Sequence, residues 1–308
     1  MDKPDALPPP PTEAPLFAAP DGACDTHVHM LAGKSEFPLW QGRVENPAPG
    51  VSFEDWLSQY RNHLAQMGCS RGVIVHSILY GTDNSVTVAA LDRLGDGFRG
   101  IGLLPDSASE ADLDQFAEWN MAGVRLNYVH GGVLSWDGVQ AMAPRLAARN
   151  LHVQMLMHAH LHIEDLAAQV ALMPVDVCFD HIGWPDLHLG VAHPGIQTLC
   201  RLLAEGKAWV KLSGLYRLCD APYDATDSIV AALVAANPER CLWGSDWPHI
   251  MLNGAEMPRA ARLLDAFHRV VTDDKTRHRI LVDNPTQLYG FLPHYGLNMP
   301  PAHSYVSK

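Results

Sequence analysis

No stretch of about 18 consecutive apolar residues occurs in this chain, so nothing in it is long enough to span a bilayer as a helix. No basic segment followed by an apolar one opens it, and the expectation is a protein without a secretory signal. Cysteine is scarce: Cys24, Cys69, Cys178, Cys200, Cys219 and Cys241 are scattered, with no C-x-x-C pair. That argues against a disulfide framework and points to a reduced, cytoplasmic protein. Cations are outnumbered, 22 Lys and Arg against 34 Asp and Glu, for a net charge of -12. Nucleic acid and anionic membrane surfaces need cationic patches and are therefore excluded as partners. Also missing is a G-x-G-x-x-G turn behind the first apolar segment, where the residues are DTHVHM. Without that turn a dinucleotide-binding, doubly wound sheet is disfavoured.

What is present is a large core. Apolar residues make up 47% and charged residues 18% of the 308 residues, a length that suits one α/β barrel. Residues 1–20 hold seven of the 23 prolines and read as an extended Pro-rich arm. From residue 21 to 308 the chain reads as a single catalytic domain with a strict rhythm. The strands ACDTHV, RGVIVHS, FRGIGLL, AGVRLN, LHVQMLM, VDVCFDH, AWVKLSG and RCLWGSD alternate with helices. Those helices are expected over 52–67, 83–94, 109–119, 136–149, 163–172, 195–205, 224–236 and 257–271, with an extra C-terminal one over 274–288. Ser52, with acids in the next turn and Gly68 behind, marks the first helix most clearly. Strands that are nearly continuous apolar runs belong in a parallel sheet buried on both faces. Eight such β–α units favour closure into a (β/α)8 TIM barrel.

In such a barrel the site lies at the C-terminal ends of the strands. His27 and His29 share one face of the first strand, because side chains repeat every two residues. His181 and Asp246 stand at matching ends of the sixth and eighth strands. A carboxylate in GSDWP after an apolar strand needs partners, and histidines are natural ones. Imidazole nitrogens with a carboxylate oxygen suit Zn²⁺ or Mn²⁺, and His158, in MLMHAH, could add a ligand. Arg125 and Arg217 offer planar forks for a substrate carboxylate, with a salt bridge to a barrel acid as the alternative for either. Ser77, Tyr80, Asn127, Gln154, Tyr216 and His249 could read further polar groups. Asp83 and Asn84 serve equally well as caps of the second helix, and LVDNPTQLYGF reads as a structural close of the barrel.

The motifs CDTHVHM, YGTDNS, GVRLNYVHGG, HVQMLM, FDHIG, WVKLSGLYR, WGSDWPH and DNPTQLYGF occur in this order between Cys24 and Phe291. Together they resemble the amidohydrolase superfamily, and more narrowly its branch of 2-pyrone-4,6-dicarboxylate lactonase, sugar-acid lactonases and lactone isomerases. The resemblance implies a (β/α)8 barrel whose chemistry is carried by His27, His29, His181 and Asp246. It implies a lactonase-type hydrolase of small carboxylated lactones, the histidines polarising the carbonyl and Asp246 acting as general base. It also implies no cofactor, since that branch works without metal. The alternatives are a divalent metal, Zn or Mn, on the same residues, a lactone isomerase, or a metal-dependent hydrolase or decarboxylase. Relatives that open the pyrone dicarboxylate match this chain at Arg125 but carry a second basic residue shortly after it, where this chain has HGG (130–132). A substrate with one carboxylate, or with hydroxyls, is therefore expected. A homodimer is an assembly common in such barrels, and a site retained only for binding is the non-enzymatic alternative.

Overall fold

The computed structural model describes residues 3–129 and 131–292; His130 and the expected domain end at residue 308 lie outside them. Within that span the apolar runs become eight strands: β1 (Cys24–Val28), β2 (Arg71–Val75), β3 (Phe98–Gly102), β4 (Met121–Asn127), β5 (His152–Leu156), β6 (Val177–Phe179), β7 (Trp209–Leu212) and β8 (Cys241–Trp243). They form one sheet in sequential order, every neighbouring pair parallel. β8 returns to β1. Thr26 Oγ1 donates to Trp243 O at 2.8 Å, Asp246 N to His27 O at 2.9 Å, and His29 N to Trp247 O at 2.8 Å. These contacts complete the circuit of a (β/α)8 barrel.

The covering helices are α1 (Phe53–Met67), α2 (Ser85–Leu94), α3 (Glu110–Glu118), α4 (Trp136–Ala147), α5 (Ala159–Leu172), α6 (Pro194–Ala204), α7 (Asp227–Ala236) and α8 (Ala260–Val270). α1 starts as its sequence dictates. Ser52 Oγ accepts from Asp55 N at 3.2 Å, Asp55 reaches back to Ser52 N at 3.0 Å, and Gly68 ends the helix at φ 74°. α5 begins four residues before the expected 163, because β5 already stops at Leu156 and His158 becomes the residue that opens the helix. The expected single helix over 274–288 is instead three pieces: α9 (Asp274–His278), a π-turn over Arg279–Asp283, and α10 (Asn284–Tyr289). Pro285 explains the break, since it has no N–H to donate and its ring crowds the carbonyl four residues back.

α10 closes the N-terminal mouth of the barrel. Tyr289 and Phe291 pack there with Cys24, Val73, Ile101, Cys178, Trp209 and Leu242. Asn284 Nδ2 donates to Pro238 O at 2.8 Å and Cys241 O at 2.7 Å, tying that plug to β8. The Pro-rich arm lies extended on the same barrel. Ala6 N donates to Asn46 O, Asn46 N to Pro4 O, and Leu16 N to Asp265 Oδ1. No helix among the described residues is long and apolar enough to cross a membrane.

Candidate active site

His27 and His29 lie on the inner face of β1 and its extension, at 0% and 2% exposure, with rings 5.1 Å apart. The His181 ring follows at 4.8 Å from that of His27. Asp246, fully buried past the end of β8, is the point they share. His29 Nε2 lies 3.3 Å and His27 Nε2 3.7 Å from its Oδ1, and His181 Nε2 3.8 Å from its Oδ2. The other oxygen, Oδ2, accepts from Tyr216 Oη and from Arg217 Nε, both at 2.8 Å.

Backbone shape makes this convergence fit. Asp246 and His181 both sit in the left-handed region, at φ 62° and 54°. This costs a non-glycine residue about 1–3 kcal/mol and turns each side chain back over the barrel mouth. Two glycines give the space. A Cβ on Gly244 would stand 2.6 Å from His27 Cβ, and one on Gly214, itself at φ 66°, 2.5 Å from His181 Nδ1.

The partner of each Nδ1 fixes how the histidines present themselves. His29 Nδ1 lies 2.7 Å from the Val75 carbonyl, which can only accept, so Nδ1 carries the proton. His27 Nδ1 faces Asp180 Oδ1 at 3.3 Å, with the same consequence. Burial holds both imidazoles below their usual range, that of His27 far below, against the opposing pull of Asp180 on His27 and Asp246 on His29. Both rings are therefore neutral, with a lone pair on Nε2 aimed at Asp246. His181 differs: its Nδ1 meets the Ser213 hydroxyl at 3.0 Å, which can donate and leave the proton on Nε2. Burial brings His181 down to about 4 despite nearby Asp246.

The carboxylates go the other way. Burial alone would push Asp246 up, but first Arg217 and then His181 pull it well below the carboxylate range. Asp180 is likewise held low: burial opposes it, while the His27 Nδ1–H and the Lys211 ammonium favour its charge. Lys211 is fully buried in the barrel, donating to Thr26 O at 2.7 Å and Gln154 Oε1 at 2.6 Å. Gln154 Nε2 in turn donates to Asp180 Oδ2 at 3.1 Å. Burial keeps the Tyr216 phenol protonated, and so a donor to Asp246.

Above this cluster opens a cavity of about 270 Å³. His29, His181, Arg125, Asn127 and Arg217 form its polar wall, and Trp40, Ile78, Leu156, Trp184 and Met251 its apolar wall. Arg125 donates to His76 O at 3.0 Å; its buried Nε has no partner, and no carboxylate among the described residues pairs with it. Arg217 is spent mainly on the protein, adding Met251 O and Ile250 O, both at 3.1 Å, to its bond with Asp246.

The remaining expected residues lie away from the cavity wall. Ser77 Oγ accepts from Leu79 N, Tyr80 Oη accepts from Ala32 N, and Gln154 is the buried link just described. Tyr216 braces Asp246, and buried His249 packs its ring 5.2 Å from that of Tyr216. His158 bonds to Trp184 O at 3.1 Å and belongs to neither cluster of potential metal ligands among the described residues. The sequence assigned no role to Asp180, Ser213, Trp40 or Arg43. Asp180 carried a signal, as the acid directly before His181; the two loop residues carried none.

The amidohydrolase sequence profile matches residues 24–291. The chain belongs to the amidohydrolase family. This amidohydrolase is 33% identical over 287 residues to a 4-sulfomuconolactone hydrolase of Rhizobium radiobacter, covering 91% of this chain and 94% of that protein. It is 28% identical to a D-galactarolactone isomerase of Agrobacterium fabrum, over 91% of this chain and 95% of the isomerase. Among solved structures, one described as a probable 2-pyrone-4,6-dicarboxylic acid hydrolase from Acinetobacter baumannii, with citric acid bound, superposes with a TM-score of 0.76. At 24% identity, covering 88% of this chain and 100% of the other, that likeness supports the barrel.

The donor atoms also fit a divalent cation. His27, His29 and Asp246 form one group of converging ligand atoms, and His27, Asp180 and His181 a second. His27 Nε2 and Asp246 Oδ1 have no hydrogen-bond partner among the described residues. An Nδ1–H donated to a carbonyl, as on His29, is the usual outer support of a metal-binding imidazole, and His27 Nδ1 faces the Asp180 carboxylate in the same sense.

Proposed function

We propose that this amidohydrolase opens a small carboxylated lactone by attack of water. The observation that carries the reading is the ionised, buried Asp246 beneath a cavity whose wall holds Arg125, a guanidinium with no carboxylate partner among the described residues. Arg125 takes the substrate carboxylate and fixes the ring against Trp40 and Trp184. His181, with its proton on Nε2, donates to the ester carbonyl and stabilises the oxyanion as it forms. The attacking water lies between two acceptors, Asp246 Oδ1 and His29 Nε2, 3.3 Å apart. Asp246 takes a proton from that water as its oxygen bonds to the carbonyl carbon. The ring C–O bond then breaks, and the same proton passes from Asp246 to the departing ring oxygen. The carbonyl-polarising role thus falls chiefly to His181, because His27 and His29 present lone pairs.

If a Zn²⁺ or Mn²⁺ were bound, His27, His29 and Asp246 would hold it, and it would supply a water of lowered pKa and a Lewis acid. The charge balance favours the reaction without it. Arg217 already pairs with Asp246, and the buried Lys211 ammonium offsets Asp180.

The likeness to a lactone isomerase favours a second reading, in which a substrate hydroxyl replaces water as nucleophile. A screen of carboxylated and sugar-acid lactones in ¹⁸O-labelled water tests both. Hydrolysis releases acid and places label in the product carboxylate; intramolecular acyl transfer gives an unlabelled isomer. Consumption of none of these lactones would sink both readings.

A further inference from the structure

The loop between β1 and α1 brings a third guanidinium to the cavity. Arg43 lines it together with Arg125 and Arg217, while no Asp or Glu appears in that wall among the described residues. For a chain with 34 acids and 22 bases this is a local reversal of sign. Arg217 is offset by Asp246 at 2.8 Å; Arg43 and Arg125 have no carboxylate partner among the described residues. Two uncompensated guanidiniums over one small cavity favour a ligand with two negative groups.

Arg43 is also held in place. Its Nε donates to Asn46 Oδ1 at 3.0 Å and its Nη1 to Trp40 O at 2.9 Å, leaving Nη2 without a partner among the described residues. Asn46, 2% exposed, is itself clamped by the Pro-rich arm. Its Nδ2 donates to Lys3 O at 2.8 Å and Asp5 Oδ1 at 3.0 Å, and its backbone pairs with Pro4 O and Ala6 N. One buried amide therefore connects the arm to a side chain in the cavity wall.

We propose that Arg43 is a specificity-determining residue that grips a second anionic group of the substrate, carboxylate or sulfonate, and that the arm orients it through Asn46. The proposal deepens the lactonase reading, since it concerns the same cavity. It replaces the expectation of a single carboxylate: the second cation missing after Arg125 is supplied from another loop.

The test uses ligands that cannot react. Calorimetric titration of the full chain compares benzoate with two dianions of the same ring, isophthalate and 3-sulfobenzoate. At least one dianion should bind tenfold more tightly than benzoate, equivalent to about 1.4 kcal/mol. Arg43→Ala should erase that preference and leave benzoate affinity within about twofold, consistent with loss of one charge-assisted contact. Asn46→Ala should reduce the preference in the same direction. Arg43→Gln, which keeps length and drops charge, reads the same quantity if alanine unsettles the loop. The proposal is overturned if neither dianion is preferred, binding too weak to measure included, or if the Arg43 variants weaken benzoate as much as the dianions. Turnover of 2-pyrone-4,6-dicarboxylate and of the other lactones is measured in parallel. A dianion preference without any turnover overturns the hydrolase reading and leaves Arg43 standing; turnover without the preference does the reverse.

Discussion

Asp246→Asn is the substitution that separates chemistry from architecture at this site. The amide keeps an oxygen where Tyr216 Oη and Arg217 Nε now donate at 2.8 Å. Its NH₂ replaces Oδ1, facing the Nε2 lone pairs of His29 at 3.3 Å and His27 at 3.7 Å, which can accept from it. Every hydrogen bond of the carboxylate thus has an amide counterpart, and the fold should survive. What disappears is the group that takes the proton. A positioned general base contributes about 10²–10⁴ in rate, or about 2.7–5.5 kcal/mol of barrier. Arg217 also loses its counter-charge in a dry setting, which adds to the loss. The expected outcome is kcat lower by at least a hundredfold, with dianion affinity little changed. Steady-state kinetics on the best lactone, with titration of isophthalate into parent and variant, measure the two quantities. Turnover within a few-fold of the parent would refute Asp246 as the base; loss of both turnover and binding would show that its role is structural.

Acid should unfold the protein for a specific reason. Burial pulls His76, His152 and His249 down to about 3 and His181 to about 4. The unfolded chain takes up these protons near the ordinary value and the native state does not, so stability is full above about 6.5 and is lost as pH falls toward 3. Each such histidine removes about 1.4 kcal/mol per pH unit in that window. Melting temperatures equal at pH 7 and pH 4.5 would contradict this. Chelator-treated, metal-analysed enzyme should keep its turnover within about twofold, because the charges around Asp246 already balance; recovery of lost activity on adding Zn²⁺ or Mn²⁺ would decide the other way. Gly195→Ala should cost about 1–3 kcal/mol in chemical unfolding, since its Cβ would stand 2.4 Å from the Ala159 carbonyl where α6 meets α5. An unchanged midpoint would show that those helices can part without penalty.

The barrel was legible because both faces of its strands are covered, so RGVIV or HVQML reads as an unbroken apolar run whatever surrounds it. His27 and His29 were legible for a similar local reason, the two-residue period of a strand. What escaped depends on partners distant in sequence. Nothing in WVKLSG says that Lys211 will point at Gln154, or that Ser213 will hold the His181 ring. Arg217 read as a substrate grip or as half of a salt bridge, and only the return of β8 beside β7 places Asp246 against it. Arg43 lies in a loop with no periodicity, where placement depends on Asn46 and, through it, on an arm that the sequence puts about forty residues away. The C-terminal helix was read too long because its apolar spacing continues through Pro285 although its hydrogen bonds do not.

The left-handed residues bear on how this molecule can change. Besides Asp246 and His181, Ile182, Trp184, His249, Met251 and Asn253 also have positive φ, all on the two loops that follow β6 and β8. At about 1–3 kcal/mol each, they act as prestressed members in a frame, held taut only while the barrel beneath stays rigid. Such a frame transmits damage: a cavity opened far away, in the core around Trp209 and Tyr289, would slacken these loops before it melted the barrel. Activity should then fail at lower temperature than the fold. Directed evolution for hardiness would accordingly find its gains in the scaffold, and loop substitutions that relieve the tension would yield a sturdier but blunter catalyst.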